Sequence, residues 1–170
     1  HKDVVKMLLE NSKIDLKARD NRRYTAFMIA CERGHKDVVK LLMDHSKRLE
    51  LNERDNYGFT AFMMACDLGH NDVVQLFLDH SERIEMNARD DNGMTAFLRG
   101  CFKGHKDVVQ LLLDHSEIIY LNARSIGGNT AFMLACNNGS KDVVKLILDH
   151  SDPSMELNKR RIEDLRLNID

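Results

Sequence analysis

Residues 60–75, TAFMMACDLGHNDVVQ, decide the reading of this chain, because close copies of them recur along its 170 residues. TAFMIACERGHKDVVK begins at Thr25, TAFLRGCFKGHKDVVQ at Thr95 and TAFMLACNNGSKDVVK at Thr130, so neighbouring copies stand 35 residues apart each time. The second part of the unit starts at His1, His35, His70, His105 and Ser140, at intervals of 34, 35, 35 and 35. A fixed period holding two helix-sized segments and a turn predicts a stacked solenoid, in which each unit buries its apolar faces against its neighbours. The fold class expected is an all-α repeat solenoid of helix-turn-helix units with projecting β-turn or hairpin fingers.

Within the unit, Phe62, Met63, Met64, Ala65 and Cys66 suit a short first helix, helix A, whose small residues let neighbouring helices approach closely. Thr60 is placed to cap it, its hydroxyl reaching a backbone N–H of the first turn. Gly69 suits the left-handed residue that ends it. A second helix, helix B, is expected over residues 70–80, with Asp72 in the first turn where a carboxylate complements the dipole. Val73, Val74, Leu76, Phe77 and Leu78 cover more than one face, which suits a helix packed on several sides. The polar link that follows, residues 81–94, carries turn chemistry at Asp91, Asn92 and Gly93 and reads as a projecting finger.

These residues resemble the ankyrin repeat family. Thr60-Ala61-Phe62-Met63-Met64-Ala65 stands where that family has Thr-Pro-Leu-His-x-Ala. Gly69-His70-x-Asp72-Val73-Val74 and Asn87-Ala88-Arg89-Asp90-x-x-Gly93-x-Thr95 also fit its pattern, and the likeness covers nearly the whole chain. The departures are specific. Alanine replaces proline at Ala26, Ala61, Ala96 and Ala131, which sacrifices roughly 0.4–1 kcal/mol per site through the entropy of the unfolded chain. The signature histidine, which in the family helps hydrogen-bond neighbouring repeats, is Met28, Met63, Leu98 or Met133, so apolar packing is expected in its place. The unit is two residues longer than the family's 33, with the extra length in residues 81–86. A longer helix B is the expectation and a looser finger entry the alternative.

The resemblance implies a single array over residues 1–170: a half repeat with helix B only (1–15), full repeats 16–50, 51–85, 86–120 and 121–155, and a C-terminal capping segment (156–170). In the first of these, Val4, Val5, Met7, Leu8 and Leu9 lack a helix A to cover them, so weak self-association through this N-terminal edge is expected. In the last, Ile162, Leu165 and Ile169 share one face of a helical pattern.

Composition narrows the function. The chain has 25 Lys and Arg against 27 Asp and Glu, a net charge of −2, and no Trp. Neither the charge nor the low aromatic content suits nucleic acid, although Arg19, Arg22, Arg23 and Arg33 make the first full finger locally basic. No apolar run reaches the ~18–20 residues that span a bilayer, so no membrane insertion is expected. Cys31, Cys66, Cys101 and Cys136 repeat once per unit, about 8–10 Å apart in such a stack, too far for a disulfide. They read as small core residues, and reduced thiols suit an intracellular, cytoplasmic location. The histidines form ladders, one position copied along the stack, which spreads them out instead of converging them on a metal ion. No phosphate loop, zinc motif or nucleophile elbow occurs. No cofactor, metal or catalysis is expected.

Positions that differ between otherwise similar units are those the fold leaves to solvent or to a partner. They are the finger tips and the ends of helix A. In ankyrin repeats these places line the concave face that binds other proteins. The resemblance therefore implies a partner-binding set of Tyr24, Arg33, Asn56, Tyr57, Phe59, Asp67, Leu68, Asn92, Met94, Arg99, Phe102 and Lys103. Its aromatic and apolar members, flanked by arginine, suit interface anchors; the other reading is that some rings lean on neighbouring fingers and stabilise the stack. Arg99 falls where the sibling units have Ile29, Met64 and Leu134, so it needs a partner or a route to water. One tip also stands apart: Arg23 replaces the turn glycine, which makes a positive backbone φ less comfortable there. The function expected is a protein-protein interaction module. The alternative is a structural or regulatory spacer in a larger protein, which would bind only its own missing flank.

Overall fold

A computed structural model describes residues 2–9, 14–45 and 49–150. The capping segment at residues 156–170 lies outside the described residues. Nine α-helices follow in order: α1 (Lys2–Leu9), α2 (Ala26–Glu32), α3 (Lys36–His45), α4 (Ala61–Asp67), α5 (Asn71–Leu78), α6 (Ala96–Lys103), α7 (Lys106–Leu113), α8 (Ala131–Asn137) and α9 (Lys141–Asp149), among the described residues. A 3-10 turn, Ser81–Arg83, follows α5.

The helices form two rows. The A helices α2, α4, α6 and α8 pack side by side, the B helices α1, α3, α5, α7 and α9 form the second row, and each A helix packs on the B helix of its own unit. The expected solenoid is thus the observed fold. Close approach in the first row comes from the small side chains: Ala61, Ala65, Cys66, Ala96, Cys101, Ala131 and Ala135 are fully buried. Between the rows, Phe77 meets Phe27 edge-on at 5.9 Å and Phe62 at 5.4 Å, so one ring of α5 joins two units. The buried ring pairs add about 0.5–1.5 kcal/mol each beyond their area.

Local chemistry follows the sequence closely. The hydroxyls of Thr25, Thr60, Thr95 and Thr130 accept from the N–H of Met28, Met63, Leu98 and Met133 at 3.2–3.4 Å, capping every A helix. Gly34, Gly69, Gly104 and Gly139 turn the chain from A to B with φ of 66–76°. Met28, Met63 and Leu98, at the signature histidine's positions, are buried in the core as expected, and histidines at another position of the unit bond across repeats. The Nε2 atoms of His70 and His105, at the start of each B helix, lie 2.9 Å from the Glu32 and Asp67 carbonyls of the preceding unit.

Two expectations change. The extra residues do not lengthen helix B in the second and third units, where α5 and α7 stop at Leu78 and Leu113. The rings of His80 and His115 fold back to the carbonyls of Leu76 and Leu111, at 3.0 and 2.8 Å, and so satisfy groups that a continuing helix would use. The fingers close through the expected turns, the N–H groups of Gly58, Gly93 and Gly128 donating to the carbonyls of Asp55, Asp90 and Ser125, with no strand among the described residues. Finally, Cys31, Cys66 and Cys101 are buried but Cys136 is exposed, beside Val144 and Leu148 in an open groove of about 400 Å³. At the start of the array Val4 and Met7 are 53% and 71% exposed, whereas Val5 and Leu9 rest partly buried on the core.

Candidate partner-binding surface

Each finger is built on one side chain. Asp55 Oδ1 accepts from the N–H of Tyr57 and Phe59, both at 2.8 Å, and the Asp55 N–H donates to the Phe59 carbonyl at 3.0 Å. Asp20 and Asp90 repeat this pattern, and the Ser125 hydroxyl accepts from the N–H of Asn129 at 3.2 Å. The two N–H donors, that of Tyr24 foremost, hold the Asp20 carboxyl below its ordinary range against a smaller opposing effect of burial.

The fingers are then tied to one another. The N–H groups of Asn56, Asp91 and Ile126 donate to the carbonyls of Arg22, Tyr57 and Asn92 at 3.2, 3.1 and 2.9 Å. Arg19, Arg54 and Arg89 each reach the carbonyl of the residue 35 positions on, namely Arg54, Arg89 and Arg124. Asn87 spans units in the same way, donating to the Ile118 carbonyl and accepting from the Tyr120 N–H, both at 2.7 Å. Finger tips are thereby held in fixed register above the ends of the A helices, and that register positions the side chains of the surface.

Two clefts open between fingers and helix ends. The first, about 240 Å³, takes Tyr24, Asp55, Tyr57 and Phe59 from two fingers, Glu32, Met64 and Asp67 from α2 and α4, and Leu68 just past the end of α4. The second, about 420 Å³, lies two units further on, with Asn92 and Met94 on one finger, Ser125, Ile126, Gly127 and Asn129 on the next, and Arg99, Phe102 and Leu134 below.

Arg99 stands between them. Its Nε donates to Asp90 Oδ2 at 2.7 Å and its Nη2 donates to the same oxygen. Its guanidinium carbon lies 4.3 Å from the centroid of Phe59, a ring of the first cleft. The side chain is 13% exposed, so this arginine is satisfied by a buried carboxylate and a ring and does not reach for water.

Of the residues expected from sequence, Tyr24, Tyr57, Phe59, Asp67 and Leu68 meet in the first cleft and Asn92, Met94, Arg99 and Phe102 in the second. Tyr57 and Leu68 are exposed, at 67% and 45%. Tyr24, Phe59 and Phe102 are half-buried against the core, with Arg22 stacked 4.0 Å above Tyr24. Burial, then the nearby Glu32 and Asp55 carboxylates, pushes the Tyr24 hydroxyl pKa up. Met94 corrects the expectation of an exposed anchor. It is 6% exposed and supports the surface from beneath.

Arg33, Asn56 and Lys103 line neither cleft. Arg33 lies 3.8 Å from Glu32, Asn56 donates from its side chain to the Asn21 carbonyl at 3.0 Å, and Lys103 Nζ lies 3.7 Å from Asp67 Oδ2. The partner-binding set expected from sequence left out Glu32, Asp55 and Ile126. Ile126, 79% exposed, carried a signal: it is apolar at a tip position where the siblings have Asn21, Asn56 and Asp91. Among the described residues no three His, Cys, Asp or Glu groups converge to hold a metal ion.

Two rows of paired helices, with fingers locked in register over clefts on one face, define a helical repeat solenoid. The chain belongs to the ankyrin repeat family: the family model described as ankyrin repeats (3 copies) matches residues 1–90 and 81–160. A comparison with curated proteins finds no match. Ankyrin repeats are generally protein-protein interaction modules. No described helix is long and apolar enough to cross a membrane.

Proposed function

We propose that this array binds a partner protein across the finger face of its first to fourth full repeats, with Tyr57 and Leu68 as the central apolar anchors. One observation carries the reading: Tyr57 and Leu68 are 67% and 45% exposed at the rim of a cleft whose floor is otherwise packed. A tyrosine and a leucine left in water beside a preformed cleft bury apolar area when a partner docks. The hydrogen-bonded ladder of fingers fixes those anchors beforehand, so little ordering entropy is lost on binding. Asp67, Arg99 and Lys103 form a charged strip between the clefts, which sets the register of a partner more than its affinity. Phe59, Phe102 and Met94 serve as the support on which the anchors rest, and Asn56 and Asn92 serve through their backbone links between fingers.

The test is a peptide-display selection against the folded 170-residue chain, followed by hydrogen exchange of the chain with each selected binder. Slowed exchange at residues 24, 57–59, 67–68 and 99–102 supports the reading. Protection confined to the B helices, or to residues 2–9, contradicts it.

A further inference from the structure

We infer that the open groove on the far side of the fourth repeat is a docking site for a segment of this same chain, residues 157–169, seated there by the base of a fifth finger. The groove is lined by Cys136 of α8 and by Lys141, Val144, Lys145 and Leu148 of α9, among others. Its apolar members have counterparts in every earlier unit. One unit back the same positions hold Cys101, Val109 and Leu113, and two units back Cys66, Val74 and Leu78, and all six are buried. They are covered because α8 packs on α6 and α9 on α7, as α6 does on α4 and α7 on α5. At the fourth unit Cys136 and Leu148 are exposed. The groove is therefore the mould that a following unit fills, and what fits it is more of the repeat's own sequence.

Residues 151–170 supply that sequence. Leu157-Asn158-Lys159-Arg160 repeats Leu51-Asn52-Glu53-Arg54, Met86-Asn87-Ala88-Arg89 and Leu121-Asn122-Ala123-Arg124, at intervals of 35, 35 and 36. In the described units this stretch is the base of a finger and its link to the unit before. Leu51, Met86 and Leu121 are buried. The arginine of one base donates to the carbonyl of the next, from Arg19 to Arg54, from Arg54 to Arg89 and from Arg89 to Arg124. Arg124 makes the bond within its own finger, to the Gly128 carbonyl at 3.0 Å, that Arg89 makes to Gly93, and the next rung of the ladder is the Arg160 carbonyl. Beyond this anchor the pattern changes. Asp164 and Arg166 stand where earlier units have the turn glycine and the capping threonine, while Ile162, Leu165 and Ile169, three and four positions apart, share one face of a helical pattern. That apolar face matches the groove floor of Val144, Leu148 and Cys136, and the intervening Glu163 and Asp164 complement Lys141 and Lys145, which fixes the register of docking more than its strength.

The experiment is methyl NMR of the 170-residue chain labelled at its isoleucine, leucine and valine methyls, with residue-resolved thiol labelling beside it. Contacts between the methyls of Val144 or Leu148 and those of Ile162, Leu165 or Ile169 are expected to persist on about tenfold dilution, because a contact within one chain does not follow mass action. Leu157→Asp, which removes the anchor of the finger base, and Ile162→Asp/Leu165→Asp, which removes the cover, are each expected to abolish these contacts. Both are also expected to speed modification of Cys136 about fivefold or more, with Cys31, Cys66 and Cys101 as slow as in the parent chain. Those three thiols report that the repeats themselves stay folded. Absence of the contacts in the parent chain overturns the inference. Contacts that fade on dilution assign the groove to a second copy and overturn it too, as does a Leu157→Asp chain whose contacts and Cys136 rate equal the parent's. Should Leu157→Asp unsettle the array, the parent chain's own contacts decide the matter. None of these readouts involves the finger face, so partner binding there stands or falls separately.

Discussion

Arg99 and Asp90 form a charge pair that ties the third finger to its own A helix: Asp90 Oδ2 receives the arginine while Oδ1 receives the N–H of Asn92 and Met94. The carboxylate is fully buried. In the second repeat the equivalent Asp55 holds its finger in the same way with Met64 in place of the arginine. Arg99→Met therefore has a structural precedent within the chain. It is expected to lower stability by about 1.5–3 kcal/mol, the value of a charged hydrogen bond, and not by the ~3–5 kcal/mol of a stranded buried charge. Urea unfolding measures this. Adding Asp90→Ser, the pairing seen at Ser125 and Leu134, is expected to recover part of the loss, as a coupled pair should.

Arg23 holds φ at +65°, and it is the one residue other than glycine with positive φ among the described residues. Its siblings are Gly58, Gly93 and Gly128, all with positive φ. A side chain in this region costs about 1–2 kcal/mol, less the entropy that glycine loses on folding. Arg23→Gly is expected to raise the urea midpoint by an amount corresponding to about 0.5–1 kcal/mol. Gly93→Ala is expected to lower it, because a Cβ there would sit 3.0 Å from the Ile126 backbone nitrogen that joins two fingers.

The thiols divide by environment. Burial pushes the Cys31, Cys66 and Cys101 pKa values up, and the Asp67 charge adds to this at Cys66. Under native conditions a thiol reagent is expected to modify Cys136 first and the other three only as the chain opens. The raised values also set a pH dependence. Their stabilisation is fully present below the unfolded thiol's pKa of about 8.5 and is lost as pH rises above it towards the folded values, at up to ~1.4 kcal/mol per thiol per pH unit. Replacing the three by alanine should flatten the fall of the urea midpoint between pH 8 and 10.

His105 reaches back to the Asp67 carbonyl across the repeat boundary. His105→Ala removes that bond and is expected to cost about 0.5–1.5 kcal/mol in a urea melt. His35→Ala, at the start of α3, provides a comparison within the same ladder.

The 35-residue period fixes most of this fold. Thr60 as cap, Gly69 as turn and Asp72 in the first turn follow from spacing and side-chain chemistry, and all three stand where expected. Repeats show which positions vary but not which way a side chain turns. Tyr57 and Met94 both vary at finger tips, yet one faces solvent and the other the core. The partner of Arg99 lies nine residues away on a finger, a distance set by tertiary geometry and not by helical period. The early stop of α5 depends on the His80 ring folding back, a rotamer that composition does not reveal.

The most direct test of the central claim is the affinity of a display-selected binder for Tyr57→Ala/Leu68→Ala, compared with a Gln75→Ala/Gln110→Ala variant altered on the B helices. Circular dichroism checks that both variants fold. The account predicts a loss of about tenfold or more, ~1.4 kcal/mol, for the finger-face variant and no change for the other. Equal affinity for the finger-face variant and the parent chain would contradict it.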